Sequence, residues 1–355
     1  MKIIQVAPLW FPIPPGKYGG IERIVSLLAD GLVAKGHEVK LYAAPGSRSK
    51  AEIVSVYEKP LIEAGISWNN PFWNLENLAE ATEEAASGKY DIVHSHLDVW
   101  ALFFQGISRS PFVHTMHNPL YRTNADATKD DRLKLFTKEA DRTNIVFISE
   151  SARSQAMINL PHSRIIYNGI DTSHFKFGKG EEHGEHFIWI ARINKHKGIE
   201  NAIAAAEKTG VRLTLAGRLD DTQQEYYDTV IKPRLNDKIT YIGELGQEQL
   251  PEFYGSATAL LYPIEWEEPF GLVVAEAMSC GTPVIAYRRG SMPELIEDGK
   301  TGFVIDSDVD LLAEKMKIVG NMDRNYVRKH IEKNFSKEKM VDEYEKFYLD
   351  VLNNG

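Results

Sequence analysis

The sequence predicts an α/β protein of two domains, each organised on a parallel sheet. Three observations carry that prediction. The chain has 355 residues, enough for two cores of ordinary size. Short apolar runs of buried-strand type alternate with segments whose apolar residues recur at helical spacing, the pattern of strand–helix–strand units. One stretch, residues 263–283, joins a loop with three carboxylates to a helix directly after an apolar run, as open α/β sheets do where they bind ligands.

Taken in order, Lys2–Pro8 reads as a buried strand. A loop from Leu9 to Gly20 follows. Then Ile21, Ile24, Val25, Leu28 and Leu32 recur at helical spacing, with Gly36 as the stop. His37–Ala43 is the next strand, so the chain opens on strand, glycine loop, helix and strand, an arrangement that cradles phosphates. Gly16, Gly19 and Gly20 lack the spacing of a dinucleotide fingerprint, which argues against a dehydrogenase. Trp68-Asn-Asn-Pro-Phe-Trp73 supplies rings and amides that either stack on sugars or pack together.

Asp91–His96 and Phe112–His117 are further strands, and a period of two puts His94 and His96 on one face. His94, His96, His114 and His117 raise the question of a metal. The spacing is no zinc pattern and no Cys or carboxylate joins them closely, so none is expected. Residues 119–135, including Arg122, are polar and irregular and read as a loop. Asn144–Ser149 is a strand, Ser151 opens a helix, and Arg164–Asp171 is the last strand of the first domain. Polar Thr172–His186 reads as the linker.

The strand Phe187–Arg192 begins the second domain, followed by Lys197-Gly198 and the helix Ile199–Thr209. Arg192 and Lys197 place two cations at the carboxyl end of a strand, where they can neutralise an anionic ligand without a metal. Arg212–Gly217 and Ile239–Leu245 are strands, and Thr258–Tyr262 leads into the 263–283 stretch. There Leu272, Val273, Ala275 and Met278 are expected to face inward, with Gly281 ending the helix. Phe270, Gly271 and Leu272 offer backbone N–H groups at the helix start, and Gly271 admits a close ligand. Glu268 and Glu276, with seven residues between them, can flank one polar ligand. Asp306-Ser-Asp308-Val-Asp310 precedes a helix and is explained by capping. The closing helix, Lys337–Leu352, carries Met340, Tyr344, Phe347 and Val351 on one stripe.

Glu268-Pro-Phe-Gly-Leu, Glu276-Ala-Met and Gly281-Thr-Pro-Val-Ile together resemble the Glu-x7-Glu signature of the retaining glycosyltransferases of family 4. Those enzymes have the GT-B fold, two Rossmann-like domains facing across a cleft. The resemblance covers nearly the whole chain and is strongest from 187 to 302. It implies an acceptor domain at 1–171 with the helix 337–355 folding back onto it, a linker at 172–186, and a nucleotide-sugar domain at 187–336. Arg192 and Lys197 match the family's Arg-x4-Lys-Gly pair, which holds the donor phosphates, and the Gly19-Gly20 loop matches the one that approaches the diphosphate. His117 matches a histidine that contacts the donor sugar. Loops after the strands ending at Gly217 and Leu245 resemble the base-binding wall. Glu268 is then expected to grip hydroxyls of the transferred sugar and Glu276 those of the ribose, with His96, Trp68, Trp73 and Arg122 lining the acceptor side. His94-Ser-His-Leu-Asp98 has one residue more than the family's His-x-His-Asp, and Arg289-Gly290-Ser291 replaces a Gly-Gly pair. The roles of Asp98, Arg288 and Arg289 therefore stay open.

The implied activity is transfer of a hexosyl unit from a UDP- or GDP-linked sugar to an acceptor hydroxyl, with retention and without metal or cofactor. The acceptor is a glycan, a lipid-linked saccharide or a small molecule. The rivals are an epimerase or hydrolase on the same fold, and a sugar-binding module without catalysis. Bulk numbers fit: 43% hydrophobic and 26% charged residues are ordinary for a globular protein. The single cysteine, Cys280, excludes an internal disulfide and fits a reducing compartment, the cytoplasm. Pro8 interrupts the N-terminal apolar run too soon for a signal peptide, and no window is apolar enough to span a membrane. Residues 1–170 hold 18 Lys+Arg and 18 Asp+Glu, the remainder 23 and 32, so the second half carries the whole net charge of −9. That argues against nucleic-acid binding and leaves open a weak contact between the first half and a membrane face bearing a lipid-linked acceptor.

Overall fold

The computed structural model describes residues 1–120, 130–180 and 186–354. They form two compact units, residues 1–169 with 337–355 and residues 170–336.

The first unit is built on seven parallel strands: β1 (Lys2–Val6), β2 (Glu38–Tyr42), β3 (Glu52–Val54), β4 (Ile92–Ser95), β5 (Phe112–Met116), β6 (Asn144–Phe147) and β7 (Ser163–Ile165). Their order is β3-β2-β1-β4-β5-β6-β7. The sheet grows outward in both directions from β1 and β4, paired with Ile3 opposite Ile92 and Val6 opposite Ser95. That reversal is the topological switch point, where loops diverge and leave a crevice at the carboxyl ends. Every residue of β4 and β5 is buried, as a parallel sheet covered on both faces requires.

The helix Gly20–Ala34 buries Ile24, Val25, Leu28 and Leu32. Gly31 on it leaves room for Val341 of the helix Lys337–Asn354, which belongs to this unit; a Cβ at position 31 would collide with the valine. Met340, Val341, Tyr344, Phe347, Tyr348 and Val351 are buried, each contributing roughly 1.5–3 kcal/mol. Ion pairs at the rim, Lys35–Asp342 (2.7 Å) and Arg164–Asp350 (2.8 Å), add about 0.2–1 kcal/mol each. Apolar packing, not charge, therefore holds this helix in place. Ser149 rather than Ser151 caps the short helix Glu150–Ser154, accepting from the Ala152 backbone N–H at 2.9 Å.

Six parallel strands build the second unit: β8 (His186–Ile190), β9 (Arg212–Ala216), β10 (Ile239–Tyr241), β11 (Ala259–Tyr262), β12 (Val284–Tyr287) and β13 (Gly302–Ile305). Their order, β10-β9-β8-β11-β12-β13, repeats the first unit's pattern and puts the switch point between β8 and β11. The helix Leu272–Ser279 is buried nearly all round rather than along one stripe: Leu272 and Val273 are half-buried, while Val274 to Ser279 are buried. Asp308 caps Val309–Met316 through the N–H groups of Asp310 and Leu311.

Residues 172–180, which the sequence suggested as linker, are tied into this second unit. Arg324 donates to the carbonyls of Gly178 (2.9 Å), Gly255 (3.0 Å) and Ala257 (2.8 Å), and Arg328 to those of Thr172 (2.9 Å) and Phe175 (2.8 Å). Burial lowers the Arg324 pKa to about 10, so the guanidinium remains charged and its carbonyl partners stay satisfied. Residues 181–185 lie outside the described residues.

Candidate active site

At the switch point of the second unit, the loop after β8 meets the loop after β11. Gly198 makes this meeting possible: it sits at φ 71°, and a Cβ there would collide with the Pro263 carbonyl oxygen. The contact is reinforced by the Glu265 backbone N–H donating to His196 O (2.9 Å) and by Trp189 Nε1 donating to Lys197 O (3.1 Å). Lys197 is thereby aimed at the 263–283 stretch.

The three carboxylates of that stretch have three different fates. Glu265 is exposed and accepts from Asn201 Nδ2 at 2.9 Å. Glu267 accepts from the Gly290 backbone N–H (2.6 Å), and Arg289 Nη1 lies 3.5 Å from it, so the loop after β12 clamps the turn. Ser291 completes the clamp, its N–H donating to Glu268 O (3.0 Å) and its hydroxyl to Phe270 O (2.6 Å). Glu268 receives Lys197 Nζ at 2.9 Å, with only 17% and 13% of the two side chains exposed. Tyr262 Oη (2.9 Å) and Trp266 Nε1 (3.0 Å) donate to the same Glu268 oxygen, and the Trp266 ring lies 4.4 Å from the ammonium. A nearly buried ion pair is retained only where further hydrogen bonds satisfy it, and here they do.

Arg192 stands after β8 beside Asp220, at 3.9 Å, and Asp220 also takes Arg218 Nε at 2.6 Å. Lys197 thus reaches the Glu268 carboxylate, while Arg192 reaches Asp220. Gly217 packs under the end of β8, where a Cβ would strike Ala191 O, and its carbonyl accepts from Tyr241 Oη at 2.7 Å. Gly271 caps the helix Leu272–Ser279 at φ 86°, leaving the first N–H groups of that helix at the same loop. Phe270 is buried against Phe335, with ring centroids 6.1 Å apart. Glu276 is 2% exposed and accepts from Tyr254 Oη at 2.9 Å; the structure brings Glu268, but not Glu276, into contact with Lys197. Sequence reasoning missed Tyr254, Tyr262, Trp266 and Asp220. Tyr262 ends the apolar run and Trp266 stands within the quoted stretch, so both were within reach as ring donors flanking a carboxylate.

The first unit's switch point carries different chemistry. His96 Nδ1 and His117 Nε2 share a hydrogen bond of 2.9 Å, and the His94 ring lies 4.1 Å from that of His96. His94 is held by Tyr348 Oη and Thr115 Oγ1, both at 2.7 Å, and Thr115 bonds Tyr344 Oη at 2.8 Å. Burial lowers His117 to about 4 and His114 to about 3, and pushes His94 and His96 well below the usual range, so the cluster is neutral at physiological pH. No group of three or more His, Cys, Asp or Glu side chains suited to a metal occurs among the described residues. Asp98 pairs with Arg132 and has φ 55°.

Gly19 and Gly20 open the helix Gly20–Ala34, and burial raises the nearby Glu22 carboxyl to about 7. Trp68 is 50% exposed, with its ring 4.5 Å from that of Trp10. Trp73 packs on Tyr57 at 4.3 Å beside the small core of Leu9, Ala44 and Leu61. Its sequence-stretch partner Trp68 is thus the exposed ring, and Trp73 a packing ring. Arg122 lies outside the described residues.

The chain is similar to known proteins over most of its length. The model described as Glycosyltransferase Family 4 matches residues 18–174, and the model described as Glycosyl transferases group 1 matches residues 170–337. A D-inositol 3-phosphate glycosyltransferase of Mycolicibacterium smegmatis is 27% identical over 354 residues, covering 85% of this chain and 78% of that protein. An uncharacterised glycosyltransferase of Methanocaldococcus jannaschii is 26% identical, covering 84% of each. In fold, the chain is similar to a sucrose-phosphate synthase from Thermosynechococcus elongatus (TM-score 0.84, 20% identity, 100% of both chains). It is also similar to Anabaena HepE solved with UDP and glucose (TM-score 0.76, 19% identity, 99% of this chain and 100% of that one). With two models that together run from residue 18 to residue 337, the chain belongs to the family 4 glycosyltransferases and has the GT-B fold.

Proposed function

We propose that this glycosyltransferase moves a hexosyl unit from a UDP- or GDP-linked sugar to an acceptor hydroxyl, keeping the anomeric configuration and using no metal. The acceptor is a glycan, a lipid-linked saccharide or a small molecule. The observation that carries the reading is the Lys197–Glu268 contact of 2.9 Å at the second unit's switch point, beside a helix start. Lys197, Arg192 and the N–H groups at 270–272 supply positive charge for a diphosphate. Glu268 accepts from hydroxyls of the transferred sugar, and Glu276 from the ribose once Tyr254 shares it.

In the chemical step the bond between the anomeric carbon and the diphosphate oxygen breaks. The acceptor oxygen bonds to that carbon on the same face, and its proton passes to a phosphate oxygen of the leaving diphosphate. No side-chain nucleophile is needed. Charge building on the diphosphate is met by Lys197, whose hydrogen bond is worth about 1.5–3 kcal/mol. HepE, of the same fold, was solved with UDP and with UDP-glucose, which supports a nucleotide-sugar donor here. The test is incubation of the purified protein with UDP- and GDP-hexoses and candidate acceptors in EDTA, with the product's anomeric configuration read by proton NMR. A retained configuration in EDTA is expected. Inversion, a metal requirement, or nucleotide release without acceptor glycosylation contradicts it.

A further inference from the structure

The loop Leu9–Gly20, at the carboxyl end of β1, carries a cluster of rings that the donor chemistry does not use. Trp68 lies with its centroid 4.5 Å from Trp10 and 5.8 Å from Phe11, and Phe11 in turn meets Tyr18 edge-on at 5.9 Å. Trp68 is 50% exposed and Tyr18 38%, whereas Trp10 and Phe11 are half-buried beneath. Clustered exposed rings of this kind mark a surface that a ligand covers in use.

The platform is rigidly mounted. The Leu9 N–H donates to Asn74 Oδ1 (3.0 Å), Asn77 Nδ2 donates to Ala7 O (3.0 Å), and the Leu61 N–H donates to Leu9 O (2.9 Å). The Ile13 N–H is held by Ser47 Oγ at 2.9 Å. Trp10 packs on the buried Leu9, Ala44 and Leu61. A ring held this way loses little entropy when a ligand lands on it. The rim is polar: Asn69 follows Trp68 and is exposed. Tyr18 immediately precedes the Gly19-Gly20 pair, so platform and glycine loop share one segment at the first unit's switch point.

We infer that the Trp68–Trp10–Phe11–Tyr18 platform binds a pyranose ring of the acceptor, so that the acceptor is a glycoside and not a simple alcohol. A pyranose has an apolar face of C–H groups that seats on the electron-rich face of a tryptophan, and a rim of hydroxyls that the exposed amide can reach. An acyl chain or an acyclic polyol has one of these features but not both. The inference rests on the glycosyltransferase reading for its context, and its test is independent of turnover.

The test is tryptophan fluorescence and saturation-transfer NMR on the whole protein, without donor, using methyl glucosides, methyl mannosides and methyl galactosides. Sorbitol and 1-hexanol serve as comparison probes. At least one methyl pyranoside is expected to bind with saturable quenching, and Trp68→Ala to weaken it by about tenfold, with Trp68→Phe in between. In turnover, Trp68→Ala is expected to raise the acceptor KM far more than it lowers kcat. Pyranoside binding unchanged in Trp68→Ala, or hexanol or sorbitol binding as well as the pyranosides, overturns the platform. A wild-type protein that binds pyranosides but transfers no sugar leaves the platform standing and sinks the proposed reaction instead.

Discussion

The two units share one strand order and differ in what they place at the switch point. In the second unit the groups there are ions in mutual contact: Lys197 with Glu268, Arg289 with Glu267, and Arg192 and Arg218 with Asp220. In the first, beside one Asp98–Arg132 pair, stand four buried histidines held neutral, a Glu22 carboxyl that burial raises to about 7, and exposed aromatic rings. The topology is therefore not what decides the charge found at a switch point. Charge retained in pairs can be lent to an anion. A neutral imidazole pair and aromatic faces suit a sugar and would not hold a diphosphate.

The largest effect should come from the geometry that makes the charged side possible. Gly198→Ala forces a Cβ onto the Pro263 carbonyl and should destabilise the second unit by at least ~3 kcal/mol, read as loss of hydrogen-exchange protection in β8 and β11. Gly16→Ala, with nothing within 4 Å of its Cβ, should change protection in the first unit by less than about 1 kcal/mol. Equal losses in the two variants would erase the contrast between the loops.

Next in size are two opposed pH dependences within the first unit. His117 titrates near 4 when folded and near 6.5 when unfolded, so the unfolded chain binds more protons between those values and stability falls as pH drops through that window. The loss amounts to up to ~3 kcal/mol, and His117→Gln should remove it. Glu22 runs the other way. Its folded value near 7 exceeds the unfolded 4.5, so the folded state holds the extra proton and stability is lost as pH rises from 4.5 to 7. Glu22→Gln should therefore match the wild type below pH 4.5, and exceed it by about 1–3 kcal/mol at pH 8. Hydrogen exchange at β1 and β4 reads both, and parallel pH profiles for wild type and variants would contradict them.

A smaller change separates the carboxylates. Glu268→Gln keeps shape and removes charge, and should lower kcat/KM by roughly 10- to 150-fold. Glu265→Gln, at an exposed position whose carboxylate accepts from Asn201, should stay within about threefold.

Much of this was legible in the sequence. Strand-type runs located the central strands to within a residue or two, because fully buried parallel strands are continuous apolar stretches: Asp91–His96 became Ile92–Ser95. Arg164–Asp171 and Ile239–Leu245, by contrast, overran the edge strands β7 and β10, which are three residues long and partly exposed. The helix after Glu268 was placed correctly but not its burial, since a helix packed on all sides has no periodic stripe to read. The cap at Ser149 was misplaced by two residues because both serines satisfy the local rule and only tertiary position decides.

At the site, Lys197 and Glu268 were chosen from residue type and position, but their direct contact was not foreseeable across 71 residues. Nor was the fixing of segment 172–180 by Arg324 and Arg328, which depends on guanidinium groups more than 140 residues away in the chain. Cys280 is free and buried, and burial pushes its thiol up to about 12, so it is inert in that position.

The central claim is that the second unit's paired ions receive the donor's diphosphate. Isothermal titration of UDP and GDP, in EDTA and in magnesium, against wild type and Lys197→Ala tests it most directly. The account predicts binding of at least one nucleotide that is indifferent to metal and at least tenfold weaker in the variant. Binding that requires magnesium, or that survives the loss of Lys197 unchanged, would contradict it.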